Sequence, residues 1–176
     1  MTRPFTVDIG WRALFSSLEL RPADVLRRAG LPEDLFTRER PTLPPEAVFR
    51  LWDAITGLMD TDAPGLALTQ AMSPQVFSPP LFAAFCSPNL SVAMARLAIY
   101  KPLIGPLQLE ANETLGGLEI TLTAQAGVSL PAEFIAAELA FLVSLARLGT
   151  EKTIRPIAVD MQTPTVADAY ATFFGR

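Results

Sequence analysis

Apolar residues recur at helical spacing through the first hundred positions and then switch to strict alternation, so helices are expected first and strands later. In RPADVLRRAGL, Pro22 stands near a helix start and Gly30 just past its end, the asymmetry expected of helix termini. After the loop PEDLFTRERPT, the segment LPPEAVFRLWDAITGLM places Val48, Leu51, Trp52, Ile55 and Leu58 on one helical face, with Gly57 softening the end. DTDAPGLALTQAM opens a further short helix, with Asp60 or Asp62 as the capping residue and Pro64 in the first turn.

Two helix starts then follow within ten residues, in SPPLFAAFCSPNLSVAMARL from Ser78 to Leu97. Ser78 can accept from an exposed amide and Pro79 or Pro80 suits a first turn, so FAAF belongs to a short helix ended by Ser87-Pro88. Asn89 caps the next helix, whose apolar stripe is Leu90, Ala93, Met94, Leu97 and Ala98. The result is a sharp corner. It is not a DNA reader: Arg96 is the one base-contacting type before Tyr100 and Lys101, which leaves the second helix too apolar for a major groove.

Beyond Pro102 and Pro106 the period becomes two. Leu107, Leu109 and Ala111 face one way, and across the Gly116-Gly117 turn Leu118, Ile120, Leu122 and Ala124 repeat the alternation, which predicts an antiparallel hairpin. A long apolar helix from about Pro131 to Leu148, stopped by Gly149, is expected to cover the hairpin's apolar face. IRPIAVDM reads as a third strand with Ile157, Val159 and Met161 on one side, and VADAYATFFG as a closing helix stopped by Gly175. The expected fold is therefore α+β: an N-terminal helical layer, then a small antiparallel sheet packed against a long apolar helix. Residues 1–176 form one domain, and the uncovered edge of a three-stranded sheet so near the chain end predicts a chain continuing past Arg176.

Composition narrows the function. With 176 residues, half of them hydrophobic, the chain can bury one sizeable core. A formal charge of -4 argues against unaided binding to phosphates, so any DNA contact belongs to a separate domain. One cysteine forbids an internal disulfide and fits a reducing compartment. No secretory segment is visible, and Glu133, Glu138 and Arg147 interrupt the longest apolar run, so a cytoplasmic protein without membrane partners is expected. The absence of histidine removes the commonest general base and metal ligand, and no phosphate-binding glycine loop is present. No catalytic residue, metal or cofactor is expected.

The remaining candidates each have a plain alternative. The pairs Glu33/Asp34 and Asp60/Asp62 suit helix starts, where acids stabilise the positive end of the dipole. Glu133 lies in the first turn of the long helix and Glu138 at its boundary. Cys86 reads as a small buried hydrophobe or a redox thiol. Lys101 reads as a helix-end cation, a Schiff-base lysine or an anchor for an acidic ligand. Phe77, Phe82, Phe85 and Tyr100 cluster around the corner and can wall an apolar pocket that Arg96 or Lys101 closes with one charge; core packing also accounts for them.

The order of segments LRPADVLRRAGLPEDLF, RPTLPPEAVFRLWDAI, DAPGLALTQAM, the corner, the hairpin and VDMQTPTVADAYATFFG resembles the N-terminal effector domain of AraC-type transcription regulators, in their arabinose-binding-like branch. The corner helix in that family often opens Thr-Leu-Gly-Glu, where this chain has Asn89, Leu90, Ser91 and Val92 and so only the cap. The resemblance implies a sensor that binds a small effector, forms a homodimer, or both, and so controls DNA binding by a C-terminal helix-turn-helix domain absent from these residues. A sugar site needs several converging polar groups, whereas the candidate wall is mainly Phe, so an apolar or amphipathic effector is expected. The rival is an oligomerisation module without a small-molecule ligand.

Overall fold

A computed structural model describes residues 2–7, 10–162 and 166–175. The chain runs β1 (Phe5–Thr6), α1 (Gly10–Ser17), α2 (Pro22–Ala29), β2 (Thr42–Leu43), α3 (Pro45–Thr56), α4 (Pro64–Ala71), α5 (Pro79–Phe85), α6 (Leu90–Ile104), β3 (Leu107–Thr114), β4 (Gly117–Ala124), α7 (Ala132–Thr150) and α8 (Asp168–Phe174). The fold is α+β, with two small antiparallel sheets.

Local punctuation accounts for most of these bounds. Gly30 ends α2 in the left-handed region at φ 65°, and its amide bonds back to the Leu26 and Arg27 carbonyls. At the corner, the Asn89 side chain accepts from the Val92 amide at 2.9 Å, whereas Ser78 caps α5 without a side-chain bond. Arg96 then braces the bend, donating to the Ala83 carbonyl and the Ser87 hydroxyl. In the hairpin Leu107 faces Ala124 and Thr114 faces Gly117, so the two-residue turn is Leu115 and Gly116 rather than the expected Gly116 and Gly117, and Gly117 instead opens β4. Gly175 closes α8 at φ 95°.

Several expectations give way to tertiary structure. GWRALFSS forms α1, and β1 pairs with β2 across more than thirty residues through Phe5–Leu43 and Thr6–Thr42. The helix lying along the hairpin is α6; α7 meets the sheet through shared apolar clusters, Phe134 and Ala137 with Leu107, and Phe141, Leu142 and Leu145 with Leu109, while its most extensive helix packing is on α4. The seam between α4 and α7 is built from Gly65, Ala136, Ala137 and Ala140, small residues that let the two backbones approach. IRPIAVDM is not a strand. Its backbone is held by Arg147, whose Nε donates to the Ile154 carbonyl at 2.8 Å, while Val159 and Met161 pack against α7 and α8 and Ile157 stays exposed.

Four further corrections are local. The α4 start has Ala63 as its cap residue, not Asp60 or Asp62. The long helix runs past Gly149 to Thr150, and Glu151 takes the left-handed stop at φ 54°. Helix α6 passes through Pro102 to Ile104, one turn beyond the expected end. Cys86, expected to be buried, is exposed at the end of α5. The predicted continuation past Arg176 lies outside the described residues.

The main core joins α1, α2 and α3 to β1 and the start of α7. Its centre is aromatic: Phe134 meets Phe5, Phe49 and Trp52 edge-on at centroid distances of 6.1, 5.6 and 5.1 Å. Such contacts each add about 0.5–1.5 kcal/mol beyond area burial. Phe5 is seated against Gly105, where a Cβ would run into its ring, so the loop after α6 must be glycine to admit β1.

Candidate functional site

A cavity of about 180 Å³ lies where this core meets the second cluster, between α1, α3 and α4 on one side and α6 and α7 on the other. Its wall is mainly apolar, with Trp11, Leu51, Trp52, Leu68, Phe134 and Phe141 among the lining side chains. For scale, an apolar cavity of ~150 Å³ holds a benzene molecule.

One end is charged. Lys101, in the last turn of α6, turns its Nζ inward to within 2.5 Å of Glu138 Oε2 on α7, and both residues line the cavity. The side chains are 3% and 18% exposed. Taking such groups out of water is tolerated only because each neutralises the other; removing one partner leaves an uncompensated buried charge. The pair also fastens α6 to α7 across 37 residues of sequence.

The other polar groups of the lining are mostly committed. The Thr69 hydroxyl donates to the Gly65 carbonyl at 2.9 Å, with the Ala137 carbonyl at 3.2 Å as the alternative acceptor. Thr6 donates to the Leu103 carbonyl at 3.0 Å. Among the described residues the cavity therefore presents an apolar body, one ion pair and the Ser78 hydroxyl.

Beside it lies a second polar centre, turned away from ligand chemistry. Glu133 Oε1 accepts from the Gly65 amide at 2.9 Å and from the Tyr170 hydroxyl at 2.8 Å. Gly65 sits in the first turn of α4, where amides lack helical acceptors, so Glu133 supplies the cap that Asp60 and Asp62 were expected to provide. A Cβ at Gly65 would fall 2.7 Å from the Tyr170 hydroxyl and 2.8 Å from Ala137 Cβ. Burial, and then the hydrogen bond to Glu133, push the Tyr170 phenol well above its ordinary value of 10.0. Three segments are thereby latched together, and Arg147 extends the latch by donating to the Phe173 carbonyl from above the Phe173 ring.

Of the residues singled out from sequence, Lys101 lines the cavity. Phe77, Phe82 and Phe85 form an aromatic row outside it, with Phe77 edge-on to Phe141, which does reach the lining. Arg96 braces the corner and Tyr100 is half-buried, neither on the cavity wall. The lining from α1, α3 and β1 had no signal in sequence beyond ordinary apolar positions. A shallower hollow between α4 and α8, of about 540 Å³, is bordered by Thr61, Gln70 and Thr172 and holds no charged group. Among the described residues no cluster of three potential metal ligands occurs, and no helix is long and apolar enough to cross a membrane.

A family model describing the N-terminal arabinose-binding domain of AraC transcription regulators matches residues 20–176. No curated protein matches the chain.

Proposed function

The chain belongs to the arabinose-binding domain family of AraC transcription regulators, and from that premise we propose that it is the sensing half of a regulator, taking a small apolar or amphipathic effector in the cavity beside Lys101 and Glu138. The observation that carries this is the cavity itself: mainly apolar, close to a single buried ion pair, and set at the junction of two core clusters. A pentose presents a hydroxyl on nearly every carbon, and Thr6 and Thr69 are already bonded, so an apolar body suits this site better than a sugar.

Signalling follows from linkage. An effector shifts the regulator only by its difference in affinity for two arrangements, with couplings typically about 1–3 kcal/mol. Phe134, Ala137 and Glu138 of α7 wall the cavity, and the Glu133–Tyr170 bond joins that same helix to α8. An effector that adjusts α7 thereby bears on the C-terminal helix, and through it on DNA binding by the regulator's other domain. The test is native mass spectrometry of the protein from its source, followed by thermal shifts with any molecule retained. A bound molecule that raises the melting temperature supports the reading; an empty protein indifferent to small apolar compounds refutes it.

A second reading, an oligomerisation module without a ligand, is favoured by α6. Ile99 and Leu103, four residues apart on its outer face, are 70% and 61% exposed. Analytical ultracentrifugation of Ile99→Lys and Leu103→Lys tests it: a dimer that dissociates in these variants places the contact on α6.

A further inference from the structure

We infer that the effector carries an uncharged oxygen head, a hydroxyl or carbonyl group, which bonds the Lys101 ammonium while Glu138 stays in place. The inference rests on the cavity being the effector site and deepens that reading. An ammonium has three N–H donors, and among the described residues Glu138 is the one side chain that Lys101 bonds. Lys101 is 3% exposed, so its unused donors have little access to bulk water and gain most from an acceptor inside the cavity.

Charge then decides the kind of acceptor. Among the described residues, Lys101 and Glu138 are the charged residues of the lining, and together they are neutral. A carboxylate ligand would leave a net negative charge in an apolar cavity, and an ammonium ligand a net positive one; a neutral oxygen satisfies the donor and leaves the balance intact. A hydroxyl has the further advantage that it can donate a hydrogen bond to the Glu138 carboxylate. The apolar body beyond it is limited to about the size of a single ring with a short substituent, on the scale of the benzene-holding cavity.

The experiment titrates the whole chain at pH 7 with benzyl alcohol, benzoate, benzylamine and toluene, which share one ring and differ in the head. Calorimetry or ligand-observed NMR reads the affinities. Benzyl alcohol is expected to bind at least about tenfold more tightly than benzoate, benzylamine or toluene. In the double variant Lys101→Met/Glu138→Leu, which replaces the ion pair by apolar side chains and so keeps the fold, that advantage over toluene disappears. In Glu138→Gln, where Lys101 is left unneutralised, benzoate overtakes the alcohol. Benzoate, benzylamine or toluene matching the alcohol in the unaltered protein overturns the head-group inference and leaves the cavity reading standing. So does an alcohol preference that survives the double variant. If none of the four binds, toluene included, the cavity reading itself falls and takes this inference with it.

Discussion

Glu133 and Glu138 project from the same helix five residues apart, into two regions that use a carboxylate in opposite ways. At the latch, one Glu133 oxygen receives two donors, an amide from α4 and a hydroxyl from α8. At the cavity, Glu138 is the one side chain among the described residues that the Lys101 ammonium bonds, beside a space large enough for a small molecule. In the first arrangement both donors are spent on the carboxylate, so neither is left for a ligand. The second is neutral but unsaturated, and that difference, rather than the presence of an acid, separates a structural centre from a binding one.

The largest effect expected is at the cavity. Glu138→Leu leaves Lys101 charged and almost wholly buried, and should cost about 3–5 kcal/mol in chemical denaturation, whereas adding Lys101→Met should recover most of the loss. Equal instability of the single and double variants would mean that the pair contributes nothing as a pair, and the contrast between the two regions would collapse. At the latch, Gly65→Ala drives a methyl group against Tyr170 and Ala137, an overpacking worth about 1–3 kcal/mol. Tyr170→Phe should soften that penalty because one of the two colliding atoms is gone, so a double-mutant cycle should show coupling rather than additivity.

How much of this was legible in sequence depends on the distance over which each feature is specified. Proline, glycine and Asn89 act within a turn, and they marked α2, α5, α6 and α8. The hairpin was legible because alternation and a two-residue turn are local too. Alternation reports only which side chains share a face, however, and IRPIAVDM shows the limit: Val159 and Met161 do turn inward, yet no strand lies beside them. The pairing of β1 with β2, the capping of α4 by Glu133 and the burial of Lys101 by Glu138 join residues 36 or more positions apart. No spacing rule reaches that far. Lys101 was singled out for its charge beside aromatic residues, but its partner was read as a boundary position because nothing local says what α6 presents to α7.

Alkaline pH sharpens the comparison further, since the latch contains a buried phenol and the cavity does not. The Tyr170 proton is held more tightly in the folded chain than in the unfolded one, chiefly by burial and then by Glu133. That stability is fully present below the unfolded value of about 10 and is lost as pH rises through and above it, by about 1.4 kcal/mol per pH unit. Tyr170→Phe should remove this alkaline slope while costing about 1.5–3 kcal/mol at pH 7, the range for a hydrogen bond to a charged group. Denaturation measured at intervals from pH 8 to 11 checks both. An unchanged slope in the variant would assign the alkaline loss to another group.

The smallest effect is the most discriminating. Glu133→Gln keeps a side-chain oxygen that can accept from both Gly65 and Tyr170, so the latch loses charge but not connectivity, and the cost should stay below about 1 kcal/mol. The same change at position 138 removes the neutralising charge from a cation that is 3% exposed, and should cost several times more. The alkaline slope should persist in Glu133→Gln, because burial is the leading cause of the Tyr170 shift and survives the substitution. If the two glutamine variants are equally destabilised, Glu133 is acting through its charge as well, and the latch is an electrostatic centre like the cavity rather than a hydrogen-bonded one.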